Sequence, residues 1–177
     1  MSALYHYRNG LSEATMQACR RSAANWHSLS DRCDFWLRYL NEVVPLPNEV
    51  SVHHVPNYLQ PYDLRGDLHH GRSYQREEID IQRDGGIFMT GVVFMEQNHY
   101  PAEEVAGTLA YNHWSQGYFA PDRRYAWRSF TCSDFLIRFY KSRDGREWVR
   151  TGTFHPINQV EEVAAYLYRE YEEVRRH

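Results

Sequence analysis

Two Asp-Gly dipeptides constrain this chain of 177 residues more than any other feature. Asp84-Gly85, followed by Gly86, and Asp144-Gly145 each stand between runs of strand-forming residues. A two-residue loop of this type enters positive φ readily and matches the twist of the strands it joins, so each dipeptide predicts an antiparallel hairpin. Before the first, Glu78 to Gln82 alternates, with Ile79 and Ile81 on one face; after it, Ile87 to Met95 is apolar on both faces, as in a central strand. Around the second, Phe135 to Lys141 and Trp148 to Phe154 read as strands, preceded by Tyr125 to Thr131. Glu49 to Val55 makes a further short strand, stopped by Pro56.

Helical periodicity occupies the rest. From Ser12 to about Val44, Met16, Cys19, Ala23 and Trp26 form one apolar stripe, and Cys33, Trp36, Leu37, Leu40 and Val44 another. Ser12 and Ser30 suit N-caps, which gives two helices or one broken near Leu29, ended by Pro45 and Pro47. Pro101-Ala-Glu-Glu opens a middle helix that runs to about Tyr118. A last helix starts at Asn158, with Glu161 completing its cap and Val160, Val163, Ala164, Leu167, Tyr171 and Val174 on its buried face. The expected fold is therefore α+β: a largely antiparallel sheet of five to six strands with an N-terminal helical pair, a middle helix and a C-terminal helix packed on it. One domain is expected over residues 1–177, with a helical part at 12–44, an irregular loop at 56–75, and sheet and helices over 76–177.

Composition narrows the class. No apolar run reaches the roughly 18 residues of a membrane span, and residues 1–10 lack the apolar core of a signal peptide, so a cytoplasmic location is expected without membrane contact. Cys19, Cys33 and Cys132 are odd in number and widely spaced, which predicts buried reduced thiols; no base for a Cys132 nucleophile is identifiable. No cofactor is expected, because no nucleotide-binding glycine loop, nucleophile elbow or H-E-x-x-H motif is present.

Two regions could carry a function. The loop concentrates Asp63, Asp67, His69 and His70 within eight residues, a set able to ligate zinc, manganese or iron, although at no recognised ligand spacing. It defines an alternative reading as a metal-dependent hydrolase or nuclease.

The second region is basic and aromatic. Of 20 basic residues only Lys141 is lysine, and the chain holds 14 tyrosines and five tryptophans. Arg, Tyr and Trp dominate binding hot spots. With Asp144-Gly145 as a two-residue loop, Tyr140 pairs with Val149, Arg138 with Thr151 and Leu136 with Thr153; a tight turn at Cys132-Ser133 brings Trp127 beside Arg138. Trp127, Arg128, Arg138 and Tyr140, with Arg123 and Arg124 at the edge, are the expected binding residues. A non-catalytic binding protein is expected, an inhibitor or adaptor of another macromolecule, with a phage- or mobile-element-encoded inhibitor of a bacterial enzyme or defence complex as the form suggested by size and arginine bias. A protein partner fits the acidic net charge of −3. Binding of single-stranded nucleic acid through the same residues is a second alternative, and a homodimer through that face would carry the same signature.

Overall fold

The computed structural model describes residues 10–44, 49–55, 76–83, 86–94, 127–133, 135–143 and 147–175. The predicted helix at 101–118, the loop at 56–75 and both Asp-Gly dipeptides lie outside them.

Ser12 caps helix α1 (Glu13–Ala24), its Oγ accepting from the Thr15 backbone N–H at 3.2 Å. Helix α2 (Leu29–Val43) begins at Ser28 rather than Ser30: Ser28 Oγ accepts from the Asp31 N–H at 3.2 Å, and residues 25–28 form the break expected near Leu29. The buried face of α1 is also shifted from the expected stripe. Thr15, Ala18 and Ser22 face inward, whereas Trp26 is 56% exposed. The reason is polar: Glu42 of α2 receives the Ser12 N–H at 2.9 Å and the hydroxyls of Ser12 and Thr15, and small side chains let the two helices approach.

Six strands follow in sheet order: β1 (Val50–Val55), β2 (Arg76–Arg83), β3 (Gly86–Phe94), β4 (Trp127–Cys132), β5 (Ile137–Ser142) and β6 (Val149–Phe154). Four neighbouring pairs are antiparallel, and only β3 with β4 is parallel. Two three-stranded meanders are thus joined side by side, and helix α3 (Val160–Arg175) ends the fold.

Register assigns the two faces. Ile79, Gly91, Phe130, Phe139 and Gly152 pair in turn across β2 to β6. This row lies under the helices, where Trp36, Tyr39, Leu40 and Val43 of α2 and Val163, Leu167 and Tyr171 of α3 complete one apolar core. A Cβ at Gly91 would fall inside the Phe130 ring, so the parallel β3–β4 contact requires glycine there. Trp36 Nε1 donates to the Ser133 carbonyl at 3.1 Å, fixing α2 against the end of β4.

The next row, Asp80, Thr90, Ser129, Tyr140 and Arg150, faces away from the described helices. It is polar, yet the first four are buried. Thr90 Oγ1 donates to Asp80 Oδ1 at 2.7 Å, while Ser129 Oγ and the neighbouring Thr131 Oγ1 have no hydrogen-bond partner among the described residues.

Candidate docking site

Strand β6 is one edge of the sheet, and among the described residues nothing pairs with its outer side. Its sequence, V-R-T-G-T-F, has β-branched residues, no proline and one charge. Those are the properties natural edges usually avoid, because an open edge presents unpaired backbone donors and acceptors. Val149 is 64% exposed, and Arg150, Thr151 and Thr153 are exposed as well. The opposite edge, β1, carries His53 and His54 instead, engaged with Ser51 Oγ and Glu77 Oε2 at 2.7 and 2.8 Å.

Helix α3 forms a wall above β6. Tyr166 stacks on Phe139 with ring centroids 4.3 Å apart and meets the Phe154 ring at 5.8 Å. Its hydroxyl pairs with Thr151 Oγ1, which also donates to the Phe139 carbonyl at 3.3 Å. A bulge in the β5–β6 pairing turns Thr151 to this side. Burial pushes the Tyr166 phenol up to about 12, even against the lowering effect of the Thr151 hydrogen bond, so it stays neutral. One turn further along α3 the exposed Arg169 guanidinium lies over the Tyr166 ring, 5.0 Å from its centroid. Gly152, half-buried, is the floor beneath: an added Cβ would meet Phe154 Cε2 at 2.6 Å and Tyr166 Cε2 at 3.5 Å. At the far end Phe135, 40% exposed, stacks on His155 with centroids 6.0 Å apart. His155 Nδ1 accepts from the Ile157 and Asn158 N–H groups at 3.2 Å each, so His155 turns the chain into α3, where Asn158 was expected to do so.

The residues expected to form a binding surface fall elsewhere. Trp127, Arg138 and Tyr140 do share one sheet face, but through another register: Trp127 pairs with Ser142, Thr131 with Arg138 and Ser129 with Tyr140. Across β6, Tyr140 meets Arg150 and Arg138 meets Thr153: Lys141 already pairs with Val149, one residue beyond the register of a two-residue hairpin, and the bulge between Phe139 and Tyr140 shifts the pairing once more. The connection after β4 is also wider than a tight Cys132-Ser133 turn, with the Ser133 N–H bonded to the Leu136 carbonyl at 3.0 Å. Tyr140 is 1% exposed, so it offers no stacking surface. Arg128 lies on the opposite, helix-covered face and is also buried. Its Nε is 2.8 Å from Glu170 Oε2, and its terminal nitrogen is 3.2 Å from Glu173 Oε2. Lys141 Nζ completes the cluster, 2.7 Å from Glu170 and 2.8 Å from Glu173. Glu170 is therefore a core residue. Helical phase carried that signal, since Glu170 falls on the stripe of Val163, Leu167 and Tyr171.

Arg123, Arg124, Asp63, Asp67, His69 and His70 lie outside the described residues. Among the described residues no group of three or more His, Cys, Asp or Glu could hold a metal ion, and no helix is long and apolar enough to cross a membrane. No family model matches the chain, and neither a curated protein nor a solved structure matches it.

Proposed function

We propose that this protein is a non-catalytic binding protein, an inhibitor or adaptor that docks on another protein through the β6 edge. The observation that supports this reading is an edge strand without a partner among the described residues, with an apolar residue, Val149, 64% exposed on it. Edge strands are templates for pairing with another chain, and main-chain hydrogen bonding supplies affinity there without a deep pocket. The arginine-rich, aromatic composition that points to a binding role remains, but its surface moves from Tyr140 and Arg128 to β6 and the exposed side of α3. Burial of Tyr140 and the ion pairing of Arg128 remove two of the contacts that single-stranded nucleic acid would use, so a protein partner is favoured.

The test is capture from nuclease-treated lysate with a high-salt wash, comparing the wild-type protein with Val149→Glu. Val149 is exposed, so the variant keeps its far-ultraviolet dichroism and melting temperature. A stoichiometric protein that co-purifies with wild type and is lost with Val149→Glu supports the reading. Equal capture by both, or capture that vanishes on nuclease treatment, overturns it.

A further inference from the structure

We infer that Cys33 of α2 and Cys132 of β4 are a latent disulfide pair, a redox-sensitive lock that ties the helical layer to the sheet in an oxidising thiol–disulfide buffer. The lock is independent of docking at β6.

The backbone brings the two thiols together. Glu77, Val93, Cys132, Ile137 and Phe154 pair in turn across β2 to β6, one row on the helix-covered face. Over this row α2 is held by two hydrogen bonds that bracket Cys33. Arg32 Nη1 donates to the Phe94 carbonyl at 2.9 Å, and Trp36 Nε1 donates to the Ser133 carbonyl at 3.1 Å. Phe94 and Ser133 directly follow Val93 and Cys132, which pair with each other. Cys33 and Trp36 are three residues apart and so share a face of the helix. A helical side chain leans toward the helix N-terminus, so the carbonyl that Trp36 reaches lies beneath the turn that carries Cys33. A disulfide needs Cα atoms within about 7 Å, and the two hydrogen bonds set α2 directly on the strand ends with no layer between.

Electrostatics agrees with this placement. Burial first, then the carboxylates of Glu77 and Asp34, push the Cys33 thiol up to about 12. Glu77 stands in the same row as Cys132, so Cys33 lies over that row. Burial, and after it the charge that Cys33 would carry, pushes the Cys132 thiol up as well, an effect that acts only between neighbours. Both side chains are buried, whereas Cys19 is on α1 and only half-buried.

Closing the bond joins Cys33 Sγ to Cys132 Sγ. Two thiol protons leave, and the two electrons reduce one small disulfide, such as oxidised glutathione, to two thiols. Thiols held in the protonated form exchange slowly, so the bond forms while the chain folds or opens and is then sheltered from reductant. The two residues are roughly 100 apart in sequence, a separation at which a cross-link strongly restricts the unfolded chain.

The experiment refolds the intact protein from urea in a glutathione buffer, blocks remaining thiols with iodoacetamide, and maps disulfides by mass spectrometry of an unreduced tryptic digest. The expected product joins peptide Cys33–Arg38 to peptide Ser129–Arg138. It should be at least about tenfold more abundant than in the same buffer kept in denaturing urea, because the fold holds the thiols together. The oxidised protein should melt at least about 5 °C above the reduced one. Cys19→Ser should leave both results unchanged. A cross-link to Cys19, glutathione adducts alone, equal yields with and without urea, or an oxidised form that melts no higher than the reduced one would each overturn the inference.

Discussion

Arg128 Nε lies 2.8 Å from Glu170 Oε2 with both side chains 2% exposed, which ties β4 to α3 inside the fold. Removing Arg128 leaves Glu170 to Lys141 alone, and removing Glu170 leaves Arg128 to the half-exposed Glu173, so each charge loses its buried counter-charge but keeps a weaker one. Arg128→Met and Glu170→Gln should each lower stability, by less than the about 3–5 kcal/mol of a fully stranded buried charge. The double variant Arg128→Met with Glu170→Gln should lose clearly less than the sum of the two singles, because neither buried partner is then left without the other. Urea denaturation of the four proteins measures the coupling; simple additivity would contradict it.

Glu173 gives the pH dependence. The hydrogen bond from Lys141 Nζ, above all, holds its carboxyl below the ordinary value of 4.5. A depressed folded-state value means that the stabilisation is present above about pH 4.5 and is lost as the pH falls through the folded value. Lys141→Met should therefore show a shallower loss of stability on acidification than wild type. Thermal midpoints from about pH 6 to about pH 3 measure the two slopes, and parallel curves would refute this account.

Gly91 should tolerate no side chain. The Phe130 ring occupies the volume where a methyl would lie, and Phe130 is fully buried. Gly91→Ala should cost about 1–3 kcal/mol by overpacking, and Phe130→Leu in the same chain should recover part of it. Chemical denaturation measures both; a neutral Gly91→Ala would show that β3 and β4 are less closely apposed.

The Thr131 hydroxyl is buried and has no hydrogen-bond partner among the described residues. Replacing it by a methyl removes a desolvated polar group at nearly constant shape, so Thr131→Val should be neutral or stabilising by up to about 2 kcal/mol. A destabilised Thr131→Val would reveal a polar contact at this point of the sheet.

Thiol reactivity should report on opening of the core. Burial pushes the Cys33 thiol up to about 12 and the fully buried Cys132 well up from its ordinary value, while Cys19 is only half-buried. At neutral pH the native protein should react with a maleimide first at Cys19, and at Cys132 only as fast as the fold opens. Mass spectrometry of a labelling time course reads the order; early modification of Cys132 would contradict it.

Local patterning explains why much of the fold was legible. The α2 stripe through Cys33, Trp36 and Leu40 faces the sheet, the break before Leu29 is present, and all six strands overlap their predicted spans. These depend on periodicity and punctuation within a dozen residues. Cross-strand partners were not legible, because the β5–β6 register is already one residue beyond that of a two-residue hairpin at Lys141 and Val149, and a bulge between Phe139 and Tyr140 shifts it once more. Tyr140 therefore faces Arg150 instead of Val149, and Arg138 meets Thr153 instead of Thr151.

The sequence by itself determined the elements, the mainly antiparallel pairing and the apolar faces of α2 and α3, since each follows from the period of the hydrophobic residues. Only the tertiary structure decided which polar residues are buried and which edge is open. Arg128 and Arg138 look alike along the chain, but a strand sends even-spaced residues to one face, and helices α2 and α3 cover the face that carries Arg128. Val149 and Phe139 are both apolar strand residues, yet Phe139 lies inside the sheet under Tyr166 and Val149 at its unpaired margin. Burial depends on what an element packs against, and that is set by contacts between segments far apart in sequence.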